Sequence, residues 1–303
     1  MEFKKRFRAA PVAAAVTAGI AVCLAGFALA TAAVEAKRPA RSADGGTSSG
    51  PPASSSTVAQ APIAVPGPIV AVAPSMTRRR VVVVDAGHGG IDAGAHGDHA
   101  QEKDVTLAAA RALKARLERN GLYRVVLTRD ADTYVSLERR VEIARQAQAD
   151  LFISLHADAG ADGDIRGASA YTLSEKGAQR VAKMPATEDL IVRTVGPGRD
   201  KAVGQIVLDL TQRSTKTRSA AFAEVLLEKV GHAAPLLNRS HRDAGFMVLL
   251  APEVPAVLLE MGFMTSAADE RLLTRAGDRQ RVIDAVGDAI DAYFQQQIRV
   301  ALG

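Results

Sequence analysis

Three side chains able to bind a metal or move a proton stand at or near the ends of apolar runs that lie far apart in the chain. They are His88 after "VVVVDAG", His156 in "DLFISLHAD" and Glu260 in "PAVLLEMGF". A fourth, Glu102, opens the helical pattern that follows the first run. In open α/β sheets the functional crevice lies outside the carboxyl ends of the strands, so these four converge if the runs are strands of one sheet. Two imidazoles and a carboxylate make the His₂Glu set of a catalytic zinc whose fourth position is left open. Zinc suits the set because it accepts nitrogen and oxygen ligands and brings no redox chemistry. Zinc-activated water then needs a second carboxylate to take its proton and deliver it to a leaving amine. Glu260 is the residue for that role, since an acid at the end of a buried apolar strand is costly unless paired or functional.

Taken singly, each residue has a plainer reading. His88 fits a surface turn, His156 a hydrogen-bonded strand-end histidine, and Glu102 a first-turn acid favoured by the helix dipole. Their joint placement at one sheet edge favours the chemical reading. His96 and His99 share a loop with Glu102 and read as loop polarity. His232 falls near a helix end, where a cation complements the dipole, and His241 precedes the expected penultimate strand. The stretch "GHGGIDAG" does not follow the G-x-G-x-x-G spacing of a dinucleotide loop, because position 92 is Asp.

The elements needed to position these residues are legible as an alternation of strand and helix. Residues 80–87 form a continuous apolar run, as expected of a strand buried on both faces. Residues 104–121 place Leu107, Ala110, Leu113 and Leu117 near helical spacing, with Gly121 as a terminator. The pattern predicts further strands at 123–129, 150–158, 166–174, 245–250 and 255–263, a helix at 136–149, and one amphipathic helix from about Ala268 to Ile298. Strands separated by helices predict an α/β fold around a mainly parallel sheet, as one catalytic domain. The segment 175–242 reads mostly helical, and connections this long in compact domains are often lids or regulatory elements. There is no internal repeat.

The chain of 303 residues carries a formal charge of +5, but that charge is concentrated at the front. Residues 1–44 hold seven Lys/Arg against three acids, residues 45–77 hold no charge, and the remainder is nearly balanced. Aromatic residues make up 4% and Trp is absent, so the basic face and stacking platform of a nucleic-acid binder are missing. "MEFKKRFR" followed by the uncharged apolar run 9–34 reads as a signal peptide, or as a membrane anchor if it is not cleaved. This segment (1–38) also contains Cys23, the sole cysteine, leaving an exported chain without disulfide or thiol chemistry. Residues 39–77, rich in Pro, Ser, Gly and Ala, read as a disordered linker. The folded part is expected over 78–303, with the only membrane contact through the N-terminal segment.

The blocks "VVVVDAGHGGIDAGAHG…QEKDVTLAAARALKARL", "RDADTYVSLERRVEIARQAQADLFISLHAD", "RGASAYTLS" and "PAVLLEMGFMTS" resemble, in order and spacing, the zinc-dependent N-acetylmuramoyl-L-alanine amidases of the bacterial cell wall. The resemblance implies a twisted mixed sheet flanked by helices on both faces (phosphorylase/hydrolase-like). It also implies one Zn2+ per chain held by His88, Glu102 and His156, with Glu260 as catalytic acid/base. The implied reaction is hydrolysis of the amide between N-acetylmuramic acid and the L-alanine of the stem peptide. Alternatives are a zinc peptidase acting within the stem peptide and a metal-free cell-wall-binding module. The insert at about 175–220 is similar to one in periplasmic cell-division amidases of Gram-negative bacteria, where a helix blocks the zinc until a LytM-type activator displaces it. That likeness implies periplasmic location, autoinhibition and such a partner, with Glu188 as candidate blocking residue. The chain departs from the pattern there, because the blocking Glu is expected further upstream, where Pro185 stands. It departs again at 39–77, which cannot form the β-rich targeting domain that some division amidases carry. Asp85 is expected to support the His88 turn and to serve as a partner of its imidazole.

Overall fold

The computed structural model describes residues 78–161, 163–181 and 201–302. The N-terminal segment, the linker and Glu188 lie outside these residues. Six strands form one sheet in the order β2-β1-β3-β6-β4-β5. They are β1 (Arg80–Ala86), β2 (Tyr123–Leu127), β3 (Leu151–Asp158), β4 (Ala168–Leu173), β5 (Leu236–Ala244) and β6 (Ala256–Phe263). The pairs β1–β2, β1–β3 and β3–β6 are parallel, β4 runs antiparallel to β6, and β5 runs parallel to β4. The helices are α1 (Glu102–Glu118), α2 (Leu137–Gln146), α3 (Glu175–Val181), α4 (Lys201–Val230), α5 (Ala267–Thr274) and α6 (Ala276–Leu302).

The apolar runs become central strands because both sheet faces are covered. From β1, Val82, Val84 and Ala86 point into a core shared with α1, α4 and α6, whereas Val83 joins a smaller core with Val141 and Ala144 of α2. The same alternation splits Leu151, Ile153 and Leu155 from Phe152 in β3. Burying each such side chain contributes about 1.5–3 kcal/mol, so a one-residue slip of register would exchange the two cores' side chains. Register is therefore tightly held, and with it the height at which each strand delivers its polar residue. Helix α2 is capped by Ser136, whose hydroxyl accepts a hydrogen bond from the Arg139 amide at 3.3 Å.

Three expectations are corrected. The apolar run at 245–250 is not a strand: Met247–Leu249 forms a 3₁₀ turn with Val248 and Leu249 buried in the smaller core. The fifth strand is instead the polar Leu236–Ala244, read from sequence as part of the helical insert, and His241 lies within it. Short apolar runs do not reveal their own conformation, and a charged sequence suits an exposed edge strand. The C-terminal helix is also two helices. At Arg275 the backbone turns extended (φ −73°, ψ 119°), and the Arg279 guanidinium donates to the freed carbonyls of Leu273 and Thr274 at 2.8 and 3.0 Å. Among the described residues no helix is long and apolar enough to cross a membrane.

Candidate metal centre and active site

Strands β1, β3 and β6 are consecutive neighbours in the sheet, so their carboxyl ends lie side by side. His88 is the second residue after β1 and has a left-handed backbone (φ 59°), an uncommon conformation for a non-glycine residue. His156 comes two residues before the end of β3, and its register partner on β6 is Glu260. A register irregularity follows His156, between it and Asp158. Strands β3 and β6 end where the sequence pattern placed their ends, so His156 and Glu260 sit inside the strands, two and three residues before the last. Glu102 is the first residue of α1 and is buried.

Glu102 bridges the two histidines. Its Oε2 lies 3.1 Å from His88 Nε2 and accepts the Ala95 amide hydrogen at 2.8 Å. Its Oε1 lies 2.9 Å from His156 Nδ1 and accepts the Ala157 amide hydrogen at 2.9 Å. Burial pulls the carboxyl pKa up, but the hydrogen bonds from His156 and His88 outweigh it and hold the group well below the usual carboxylate range. Burial pulls the His88 imidazole down; Glu102 and then Asp92 outweigh it, leaving its pKa above 6.5. The two rings meet edge to face with centroids 4.9 Å apart. Each of the three residues offers a ligand atom within 4.8 Å of the others'.

Bare glycine surfaces make room for this packing. A Cβ on Gly87 would stand 2.5–2.8 Å from the His156 ring, and one on Gly94 would run into Glu102 Oε2 and the His88 ring. The donor set fits a divalent metal of the zinc class: two imidazoles and one carboxylate on a rigid frame, with the carboxylate fixed by backbone amides.

Glu260 is buried, with Oε2 free of any hydrogen bond. Burial, then the charges of Glu102 and Asp158, push its pKa well above the ordinary carboxyl value, against a backbone hydrogen bond from Asp158. A carboxyl with a raised pKa and an open oxygen can carry a proton between reacting groups.

The remaining residues fall elsewhere. Asp85 is not beside an imidazole: its Oδ1 accepts from Thr128 Oγ1 and Arg140 Nη1, each at 2.6 Å, and its Oδ2 from Ser154 Oγ at 2.6 Å. The carboxylate beside His88 is that of Asp92, whose Oδ2 is 2.9 Å from Nδ1 but without hydrogen-bond geometry. The strand alternation accounts for this, since Asp85 points into the smaller-core side of β1, where Ser154 of β3 faces it. His99 contributes its backbone amide to Glu270 at 2.6 Å, and His96 bridges Gln101. His241 pairs with Glu224 at 2.6 Å and Thr172 at 3.1 Å, within β5 rather than at the crevice. Sequence reasoning passed over Arg129 and Arg140, both buried beside the His88 turn; their position after β2 and in α2 carries no signal without the third dimension.

Two histidines and a glutamate placed to hold a metal, with a buried acid on the neighbouring strand, suit a hydrolase. Residues 82–292, more than half of the chain, match the family model described as N-acetylmuramoyl-L-alanine amidase, and the chain belongs to that family. It is 37% identical over 222 residues to the N-acetylmuramoyl-L-alanine amidase AmiA of Escherichia coli (strain K12), with 71% of this chain and 76% of that one covered. To the amidase AmiC of Escherichia coli O6:H1 it is 37% identical over 220 residues, covering 71% of this chain and 52% of the relative. Among solved structures, the catalytic domain of CwlV from Bacillus (Paenibacillus) polymyxa var. colistinus superposes with a TM-score of 0.55. It is 28% identical, with 71% of this chain and 98% of that one covered. The amidase AmiC2 of Nostoc punctiforme gives a TM-score of 0.54 at 30% identity, with 71% and 97% covered. The chain is thus an enzyme of the N-acetylmuramoyl-L-alanine amidase class, a peptidoglycan hydrolase.

Proposed function

We propose that the chain hydrolyses the lactyl–L-alanine amide of peptidoglycan with one Zn2+ held by His88, Glu102 and His156 and with Glu260 as the general acid/base. What carries the reading is the meeting of Glu102 with both imidazoles while Glu260 faces His156 across β3 and β6. When bound, the zinc supplies a Lewis acid that makes water a nucleophile at neutral pH and polarises the scissile carbonyl. Glu260 accepts the proton of the attacking water and delivers it to the amine nitrogen of L-alanine as the C–N bond breaks. Its open Oε2 is the atom that exchanges the proton, and its burial keeps bulk water from competing for it. The backbone amides of Ala95 and Ala157 hold Glu102 with its charge toward the histidines.

The proposed organisation is a signal peptide or anchor at 1–38, a linker at 39–77 and the catalytic domain at 78–303. The proposed location is the periplasm, with inner-membrane anchoring if the segment is retained. The insert at about 175–220 is proposed as an autoinhibitory element released by a LytM-type activator. Support comes from the exposed apolar side chains of Val203, Ile206 and Leu210 at the start of α4, which suit contact with another surface.

The test is Glu260→Gln in the full chain. Cleavage of purified sacculi should fall by about 10²-fold or more, while zinc content stays at one per chain. Unchanged turnover would remove Glu260 from the mechanism. Mass spectrometry of the digest should find intact stem peptides freed from glycan; fragments cut within the peptide would instead mark a peptidase.

A further inference from the structure

The carbonyls that leave the sheet at the end of β1 need partners, because β1 pairs with β2 only as far as Val84 opposite Leu127. Two buried guanidiniums supply them. Arg129, 4% exposed, donates from Nε to Ala86 O at 2.9 Å and from Nη2 to Gly87 O at 2.9 Å and Lys103 O at 2.8 Å. It also reaches Ala131 O and Thr106 Oγ1, each at 3.1 Å. Arg140, 2% exposed, donates to Ala86 O at 2.6 Å, to His88 O at 2.7 Å and to Val135 O at 3.0 Å. Among the oxygens gathered this way are those of His88 itself, of the two residues before it, and of the residue after Glu102.

Arg140 has the Asp85 carboxylate at 2.6 Å as a counter-charge. The five contacts of Arg129 all go to neutral oxygens, and burial followed by the nearby charge of Arg140 lowers its pKa. A buried cation so placed is expensive, and a core that only needed filling would be better served by an apolar side chain. What the guanidinium provides is a planar fork of five donors that binds two chain segments at once. Gly89 leaves room for it: a Cβ there would stand 2.8 Å from Arg129 Nε and 2.9 Å from Cδ. Thr106 of α1 completes the knot, donating to Gly87 O at 2.8 Å.

We propose that Arg129 and Arg140 are positioning residues for the metal centre: a clamp on backbone carbonyls that holds the left-handed His88 turn at a set distance from Glu102. The inference rests on the reading of His88, Glu102 and His156 as metal ligands. It assigns to Asp85 the task of holding Arg140, in place of a direct contact with an imidazole.

The experiment compares Arg129→Lys and Arg140→Lys with Arg116→Lys in the full chain. Arg116 pairs with Asp288 and Asp291 on α6, away from the crevice. Three quantities are read: thermal stability of the metal-free protein, Zn2+ affinity by chelator competition, and the visible absorption of Co2+ placed in the site. The clamp variants should bind Zn2+ about 10–100-fold more weakly and shift the Co2+ bands, whereas Arg116→Lys should lose stability with affinity and bands unchanged. If Arg129→Lys and Arg140→Lys do not fold, Thr106→Val decides; it removes the hydroxyl that donates to Gly87 O and accepts from Arg129 Nη2, and should weaken Zn2+ binding in the same direction. Zn2+ affinity and Co2+ bands equal to those of the parent in the folded variants would overturn the clamp. A parent chain that binds no Zn2+ would overturn the metal-centre reading and the clamp with it.

Discussion

At the scale of single residues, the centre is crowded enough that one methyl group should disable it. Gly94 has φ +67° and faces Glu102 and the His88 ring, whereas Gly121, at nearly the same φ (+70°), has nothing within 4 Å of where a Cβ would stand. Alanine at either site carries the same left-handed penalty, about 1–2 kcal/mol. Only Gly94→Ala also runs into Glu102 and His88, two of the proposed ligands. Both variants should therefore lose a few degrees of melting temperature, but only Gly94→Ala should lose Zn2+ affinity, by at least about tenfold. Equal affinities in the two would show that the site yields without consequence. His88 is the one site histidine with a backbone that L-residues avoid; strain of this kind persists where surrounding contacts over-determine it, and the two arginines are such contacts.

At the scale of elements, the sheet holds its outer strand β2 to helix α6 through Tyr123, whose hydroxyl donates to Asp291 Oδ1 at 2.7 Å. Burial, then this hydrogen bond and the charge of Asp291, raise the phenol pKa above its usual 10. The folded pKa is the higher one, so the contribution is fully present below about pH 10 and is lost as pH rises through the folded value. Urea denaturation at pH 8 and pH 11 should show a smaller alkaline loss of stability for Tyr123→Phe than for the parent. An identical loss would place the alkaline transition elsewhere, with Tyr293, a second phenol whose pKa burial raises to about 12, as the candidate. Elements were legible in the sequence where their periodicity was strong. β1, α1, β3 and β6 announce themselves by apolar runs or helical spacing, but β5 does not, because an exposed edge strand has no apolar face to display.

At the scale of the whole molecule, the proposed regulation separates from the catalytic frame. The described core places β1, β3, β6 and α1 around the centre, and neither α3 nor the start of α4 contributes a ligand. Removing residues 178–204 from the full chain should then raise activity on isolated sacculi if the insert is inhibitory. Activity equal to or below the parent, with the thermal transition intact, would end that proposal.

What the amino-acid sequence determined by itself was local: which runs are apolar on both sides, where helices begin, and which imidazoles and carboxylates stand near strand ends. Those signals suffice to nominate His88, Glu102, His156 and Glu260, because strand order in an α/β sheet sends such residues to one edge. The tertiary structure decided what depends on relative rotation and register. Alternation along β1 turned Asp85 toward Thr128, Ser154 and Arg140 and away from the imidazoles. It also brought Arg129 and Arg140, from beyond β2 and from α2, onto carbonyls 42 and 52 residues earlier in the chain. A hydrogen bond to a backbone oxygen carries no residue-type signature at the accepting end, so no sequence pattern could have announced it.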